Sequence, residues 1–477
     1  MLKRTEEATG VRTATGVLLA SQVLAAGGAV LVNLLAAVVL DPASRGDLAF
    51  ALQLAYFLSV FAVMGLERPY IAARSGVFGT EYRVFARMVA PGTLVILPVA
   101  LFATVVSPFS TSWMWMGAIA VTGYVALNSL TRAVRVAYVS SHDWKRFAFN
   151  AIASQSIIIA GAALLVLLGA DDPVLWMWVY VASVLPAVLL LGIALRSGAL
   201  TAPPGLKETQ GLRRRGWVLL PSEFSNTAML RSDRLLLPAL SSPAELGLYV
   251  TVAAVLEMAT WPVQQWVDAS LRSWSRSAQE SPLRAARLIG WCVLLLVAAA
   301  ALLGAAAYAM IVFVLPAAYF PATAAILPLA ISAVVFGVTR VQQGLLIAVK
   351  APGSVSIIEI IGTAASLLAY VLLIPQYGML GAAYGSIIGY SICAAAGAVT
   401  MAVMWKRRAA TNAAGGQSVG TTDGTTVDGK AGTTDGTTDG GEVGTTDDGK
   451  VHAMRAAAAN RAERSCGPDH RSSEGVN

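Results

Sequence analysis

Residues 231–249 read RSDRLLLPALSSPAELGLY. Arg231, Asp233 and Arg234 stand in an otherwise apolar run, and PAELG at 243–247 echoes PASRG at 42–46, 201 residues earlier. The charges raise the question of what surrounds them, and the echo raises the question of why the chain is written twice. Composition answers first. Of 477 residues, 56% are hydrophobic and 13% charged, with a mean hydropathy of +0.66, whereas a soluble domain is about 25% charged. The chain reads as an all-α integral membrane protein with many spans.

A helix needs about 20 mainly apolar residues to cross a bilayer. On that criterion twelve spans are expected, near 15–40, 47–66, 87–107, 112–132, 148–169, 174–195, 216–240, 246–270, 289–315, 322–341, 355–374 and 379–404. The first is read as a retained helix, because its apolar run is about twice as long as that of a signal peptide. Short basic loops stay in the cytoplasm. The amino terminus, the segments 66–87, 132–147, 196–215, 271–288 and 339–351, and residues 406–408 hold 25 of the 34 lysines and arginines. The opposite loops hold only Arg45. Both termini are therefore expected in the cytoplasm of a cell-membrane protein, and the high pI is a sign of topology rather than of nucleic-acid binding.

The echo extends further. An offset of 201 places Glu67 on Asp268, and Thr131-Arg132 matches Thr339-Arg340 at an offset of 208. These matches divide the membrane part into an N-terminal lobe (1–200), a cytoplasmic linker (201–215) and a C-terminal lobe (216–408). Six spans per lobe make a parallel repeat about an axis along the membrane normal, and carriers built this way place their path between the repeats. Beyond 408 the chain turns to GTTDG repeats, which cannot bury enough apolar surface to offset chain entropy. Residues 409–477 are read as a disordered cytoplasmic tail.

Charge inside a span usually faces a cavity or a partner in the bundle. In the seventh span Glu223, Thr227, Arg231 and Arg234 share one helical stripe, and Asn226 and Asp233 share a neighbouring one. The eighth repeats the pattern with Glu257, Gln264 and Asp268, and Pro262 should kink it. The eleventh adds Glu359, Thr363, Ser366 and Tyr370. Arg231 and Arg234 either fasten helices by pairing with Asp233, Glu223 or Glu257, or bind an anion, for which the guanidinium fork is suited. Asn226 and Gln264 join them as candidate substrate-binding residues. Glu223, Asp233, Glu257, Asp268 and Glu359 are candidates for ion pairing or coupling, with Asp268 and Glu67 expected in solvated pairs with Arg272 and Arg68. Gly381, Gly385 and Gly389 form a close-packing face. Cys292, Cys393 and Cys466 lie far apart and His142 stands alone, so no metal site or cofactor is expected. Phosphate-binding loops, a GxSxG on a strand–helix turn and HExxH are missing, which argues against an enzyme.

The run SDRLLLPALSSPAELGLY resembles the corresponding region of Wzx-type polysaccharide exporters, in the multidrug/oligosaccharidyl-lipid/polysaccharide (MOP) flippase superfamily. The likeness rests on Asp233, Arg234, Gly247 and Tyr249, on LDPASRGDLAF at 40–50, and on IPQYGMLGAA at 374–383. It implies two six-helix lobes and alternating access. The implied function is translocation of polyprenyl-pyrophosphate-linked oligosaccharide across the cytoplasmic membrane for cell-surface polysaccharide synthesis. Its implied partners are that lipid-linked oligosaccharide, membrane lipid, a polysaccharide polymerase and other export components, with no nucleic acid. The lipid II branch has several basic residues in its early helices, and no central arginine is expected in spans one to six here. Two other readings remain: a cation-coupled multidrug antiporter of the same superfamily, and a membrane glycan polymerase or glycosyltransferase.

Overall fold

Proline directly after a capping side chain opens several of the helices, because the first helical N–H has no partner to lose and proline's φ is already helical. Asp41 accepts from the Ala43 N–H at 3.0 Å, Asp172 from Val174 at 2.9 Å and Ser242 from Glu245 at 3.3 Å. The structure, a computed structural model, describes residues 27–105, 114–196, 206–264, 266–267, 270, 274, 282–349 and 351–417. The first half runs α1 (Gly27–Val39), α2 (Pro42–Val63), α3 (Glu67–Ala73), α4 (Phe78–Val105), α5 (Met114–Ser140), α6 (Trp144–Leu168), α7 (Pro173–Ala182) and α8 (Leu185–Arg196). The second runs α9 (Leu206–Leu240), α10 (Pro243–Leu256), α11 (Pro282–Phe313), α12 (Ile326–Ala348), α13 (Pro352–Tyr377) and α14 (Met379–Gln417). Three-residue-per-turn segments follow α10 at Glu257–Ala259 and precede α12 at Ala317–Ala325.

Every regular element among the described residues is helical, and nine are long and apolar enough to span a membrane. Large apolar side chains point outward in both halves, with Leu167 85% and Phe313 81% exposed. Water would not tolerate so broad an apolar surface, and lipid does. Nine of the twelve expected spans thus coincide with helices of that kind among the described residues. The first is described only over Gly27–Val39. Helices α5 and α9, 27 and 35 residues long, fall outside the apolar class. In α9 the cause is charge, since Arg213, Arg214, Arg231, Asp233 and Arg234 all lie on it. Residues 206–215 of the expected linker form its first turns. Contacts divide the chain into Met1–Ala413 and Ala414–Asn477. Residues 409–417 continue α14, and 418–477 of the expected tail lie outside the described residues.

The two copies of PAxxG meet each other. A Cβ on Gly46 would collide with the Pro243 carbonyl, and a Cβ on Gly247 would collide with the Pro42 carbonyl. This is the reciprocal pattern of a two-fold interface, residue i on j and j on i, made here within one chain. The helix starts around it are tied to the rest of the second half. The Tyr319 hydroxyl donates to the Leu40 carbonyl at 2.8 Å, and the Glu245 carboxylate accepts from the Met379 N–H at 2.8 Å. That last bond joins PAELG to the GMLGAA segment. At the other end of α2, Phe57 and Phe61 pack on Phe224 of α9, with ring centroids 5.8 and 5.2 Å apart. Helix α2 therefore touches the second half at both ends.

Gly385 and Gly389 bring α14 against Tyr370 and Ser366 of α13, as expected of that glycine face. Near the end of α2, Glu67 pairs with Arg132 of α5 at 2.9 Å. The side chain of Arg68, and Arg272 altogether, lie outside the described residues; among those described Glu67 pairs with Arg132, which α5 brings to the start of α3.

Candidate functional site

Pro262 has no N–H to return to the carbonyl of residue 258. The helix of α10 accordingly gives way at Glu257–Ala259, and Thr260 turns before Trp261 resumes it. The expected kink is present, and it sets the Glu257 carboxylate between α9 and the first half. The Arg234 guanidinium pairs with Glu257, and Arg231 lies 3.9 Å from the same carboxylate. Asp233 was expected among the partners of these arginines, and its side chain serves elsewhere. It accepts the Tyr249 hydroxyl at 2.6 Å and the Arg234 backbone N–H at 2.8 Å.

Two cavities open beside this group. One, of about 200 Å³, is lined by Val30, Asn33, Arg45, Gln53, Arg231, Arg234 and Glu257, among others. The other, of about 230 Å³, is lined by Tyr56, Arg231, Asp233, Glu257, Trp261 and Gln264, among others. The first lies on the repeat. At the offset of 201, Val30 corresponds to Arg231, Asn33 to Arg234, Ala49 to Val250 and Gln53 to Ala254, and all eight line this cavity.

Arg45 is the residue that the sequence reading misplaced. Assigned to a loop, it is instead in the first turn of α2, 6% exposed, with its guanidinium against the Asn33 amide oxygen. The Asp41-Pro42 pair is a helix-start signal that places Arg45 inside the helix. The first half therefore does bring an arginine to the centre. Its Nε and that of Arg234 are buried and lack a partner among the described residues. Three guanidinium groups thus line a small cavity with one carboxylate, Glu257. Such an excess of positive charge inside the bundle, with Arg45 and Arg234 buried, calls for an anion, and the arginine fork matches phosphate or carboxylate oxygens.

Of the other expected site residues, Gln264 lines the second cavity. Glu359 is drawn away to Arg340, 3.5 Å distant, between α12 and α13. Thr363 donates to the Ser225 carbonyl at 3.1 Å and Tyr370 bonds Ser386 at 2.9 Å, so that polar line fastens helices. The side chains of Glu223 and Asn226, and Asp268 altogether, lie outside the described residues.

This all-helical, multi-pass bundle, whose two halves meet through α2 and α10 beside a polar cavity, has a fold similar to that of several solved membrane proteins. Among solved structures it is similar to the lipid II flippase MurJ in an inward closed conformation, with a TM-score of 0.60 and 11% identity over 82% of this chain and 87% of that one. It is also similar to a multidrug resistance MATE family transporter facing inward (0.57, 11%, 80% and 94%) and to one facing outward (0.52, 13%, 84% and 93%). No family model matches the chain, and no curated protein matches it by sequence.

Proposed function

We propose that the chain is a Wzx-type flippase. In this reading it carries a polyprenyl-pyrophosphate-linked oligosaccharide repeat unit across the cytoplasmic membrane for cell-surface polysaccharide synthesis. The observation that carries the reading is the cavity between the halves, where Arg45, Arg231 and Arg234 outnumber Glu257. A pyrophosphate head group crossing a bilayer faces a cost of several kcal/mol per charge. Guanidinium groups fixed at its path offset that cost, and they stay charged at every physiological pH.

A multidrug antiporter on this fold would need an acid left open to a cationic drug or coupling ion. Asp233 is held by Tyr249 and Glu257 by two arginines. A glycan polymerase would need substantial loops on the face opposite the basic ones. The connections after α1, α6, α9 and α13 have four residues or fewer. A polymerase acting on the delivered repeat unit fits as a partner of this protein.

Replacing both Arg231 and Arg234 by Ala is expected to abolish surface polysaccharide, with lipid-linked oligosaccharide accumulating on the cytoplasmic leaflet and protein levels unchanged. The measurement is leaflet-specific labelling of the lipid-linked glycan. Normal delivery to the outer leaflet by that variant would refute the anion-carrying role.

A further inference from the structure

The larger cavity shares Arg231, Glu257 and Trp261 with the cationic one and then departs from it in chemistry. Its charges are already engaged: Asp233 by the Tyr249 hydroxyl and the Arg234 N–H, Glu257 and Arg231 by each other, and Glu257 also by Arg234. What remains is neutral. Tyr56 and Trp261 expose 43% and 40% of their surface, and Phe336 adds a third ring to the lining. Between them stand the Gln264 amide and the Ser332 hydroxyl, neither with a side-chain hydrogen bond among the described residues.

Aromatic faces with neutral donors and acceptors suit a polyhydroxylated ring, whose C–H face lies on an arene while its hydroxyls bond the polar groups. A lipophilic cation would find the rings but would sit beside the Arg231 guanidinium, which repels it. A hydrocarbon would leave Gln264 and Ser332 unsatisfied. The volume is below the roughly 300–1,000 Å³ of pockets that enclose a drug-sized ligand, so one ring fits and a longer glycan does not.

We infer that the cavity formed by Tyr56, Trp261, Gln264 and Ser332 is a subsite for one uncharged sugar ring, the ring bonded directly to the phosphate. The inference rests on the reading of the cationic cavity as the phosphate site, because Arg231, Glu257 and Trp261 line both cavities and make them neighbours. It makes the protein selective for the first sugar of its cargo, with the remaining sugars left outside this cavity.

The test compares two probes on the purified full-length protein: a polyprenyl pyrophosphate, and the same lipid bearing one neutral N-acetylhexosamine. The wild type is expected to bind the glycosylated lipid about tenfold more tightly, roughly the worth of one well-made hydrogen bond with ring contact. Gln264 and Ser332 line this cavity and not the cationic one. Gln264→Leu with Ser332→Ala should therefore abolish the preference and leave bare-lipid affinity unchanged. Trp261→Phe should keep the preference and Trp261→Leu lose it, and taking the ratio of the two probes cancels any general loss of folded protein. Equal wild-type affinity for both lipids would overturn the sugar subsite and leave the phosphate site standing. Failure of both lipids to bind would overturn the phosphate reading as well. Tetraphenylphosphonium binding lost in Trp261→Leu, with no preference between the lipids, would replace the sugar by an organic cation.

Discussion

Arg45 and Leu246 occupy equivalent places in the two copies of PAxxG, each one residue before the glycine at the crossing. Leu246 is fully buried in the core of the second half, while Arg45 turns into the cavity against Asn33. One helix earlier the assignment is reversed: the second half has Arg234 where the first has Asn33. Each half therefore sends an arginine to the same cavity, one from the second helix of its repeat and the other from the first. Equivalent backbone positions give equivalent access to the axis, so the charge can sit on either helix while the scaffold remains common to both.

The scaffold itself gives the largest expected effect. Gly46→Ala and Gly247→Ala each drive a methyl group into a backbone carbonyl, and a carbonyl has no rotamer with which to yield. Each should destabilise the protein by more than the about 1–3 kcal/mol of ordinary core overpacking. The two should be nearly equal, because the contacts are reciprocal. Thermal unfolding in detergent measures this. Tolerance of one substitution alongside failure of the other would break the symmetry of the crossing.

The arginines give the next effect, and here the halves should differ. Arg45→Leu makes the two crossings alike and should weaken binding of a polyprenyl pyrophosphate about tenfold, in line with a loss of about 1.4 kcal/mol from a charge-assisted hydrogen bond. Asn33→Arg added to Arg45→Leu gives the first half the arrangement of the second and should restore much of that affinity. Equilibrium binding to the purified protein decides it. Wild-type affinity in Arg45→Leu would remove the first half from the site.

How much of this was legible in the sequence follows from the range of each interaction. Long apolar runs set most of the helices, because burial of a span depends on its own composition. The apolar criterion leaves α9 out of the nine spans, since that helix gives up apolarity to the same charges that line the cavity. The echo was readable, but its meaning was not: Gly46 meets the Pro243 carbonyl across the whole first half of the chain, and no local pattern encodes that contact. Helical spacing put Arg231 and Arg234 on one stripe and brought Glu257 into question as their partner, which it is. It gave no means of telling that Asp233, between them in sequence, turns to Tyr249 on α10. Arg45 was misread for a different reason: basic residues were counted by loop, and a capped helix start was counted as loop.

The same register yields the smallest effect. Tyr56 and Glu257 correspond at the offset of 201, and Arg231 lies between them, 5.5 Å from the Tyr56 ring and 3.9 Å from the Glu257 carboxylate. The two halves thus hold one guanidinium by two chemistries. The ring steadies the charge without neutralising it, and Arg132 lies 5.8 Å from the same ring. Tyr56→Phe keeps the face and should leave binding of the bare pyrophosphate lipid unchanged. Tyr56→Leu removes a partly exposed cation–π contact of about 0.5–1 kcal/mol and should weaken binding by roughly twofold to fivefold. Tyr56→Glu makes the two halves chemically alike, supplies a second acid to Arg231, and should weaken it further than Leu does. The bare lipid is the right probe, because it leaves the sugar cavity empty and isolates the charge. If Leu and Glu bind as the wild type does, the Tyr56 ring does not position Arg231. If Glu alone is weak, the arginine is held by Glu257 without help from the first half, and the site is less evenly shared than the geometry makes it.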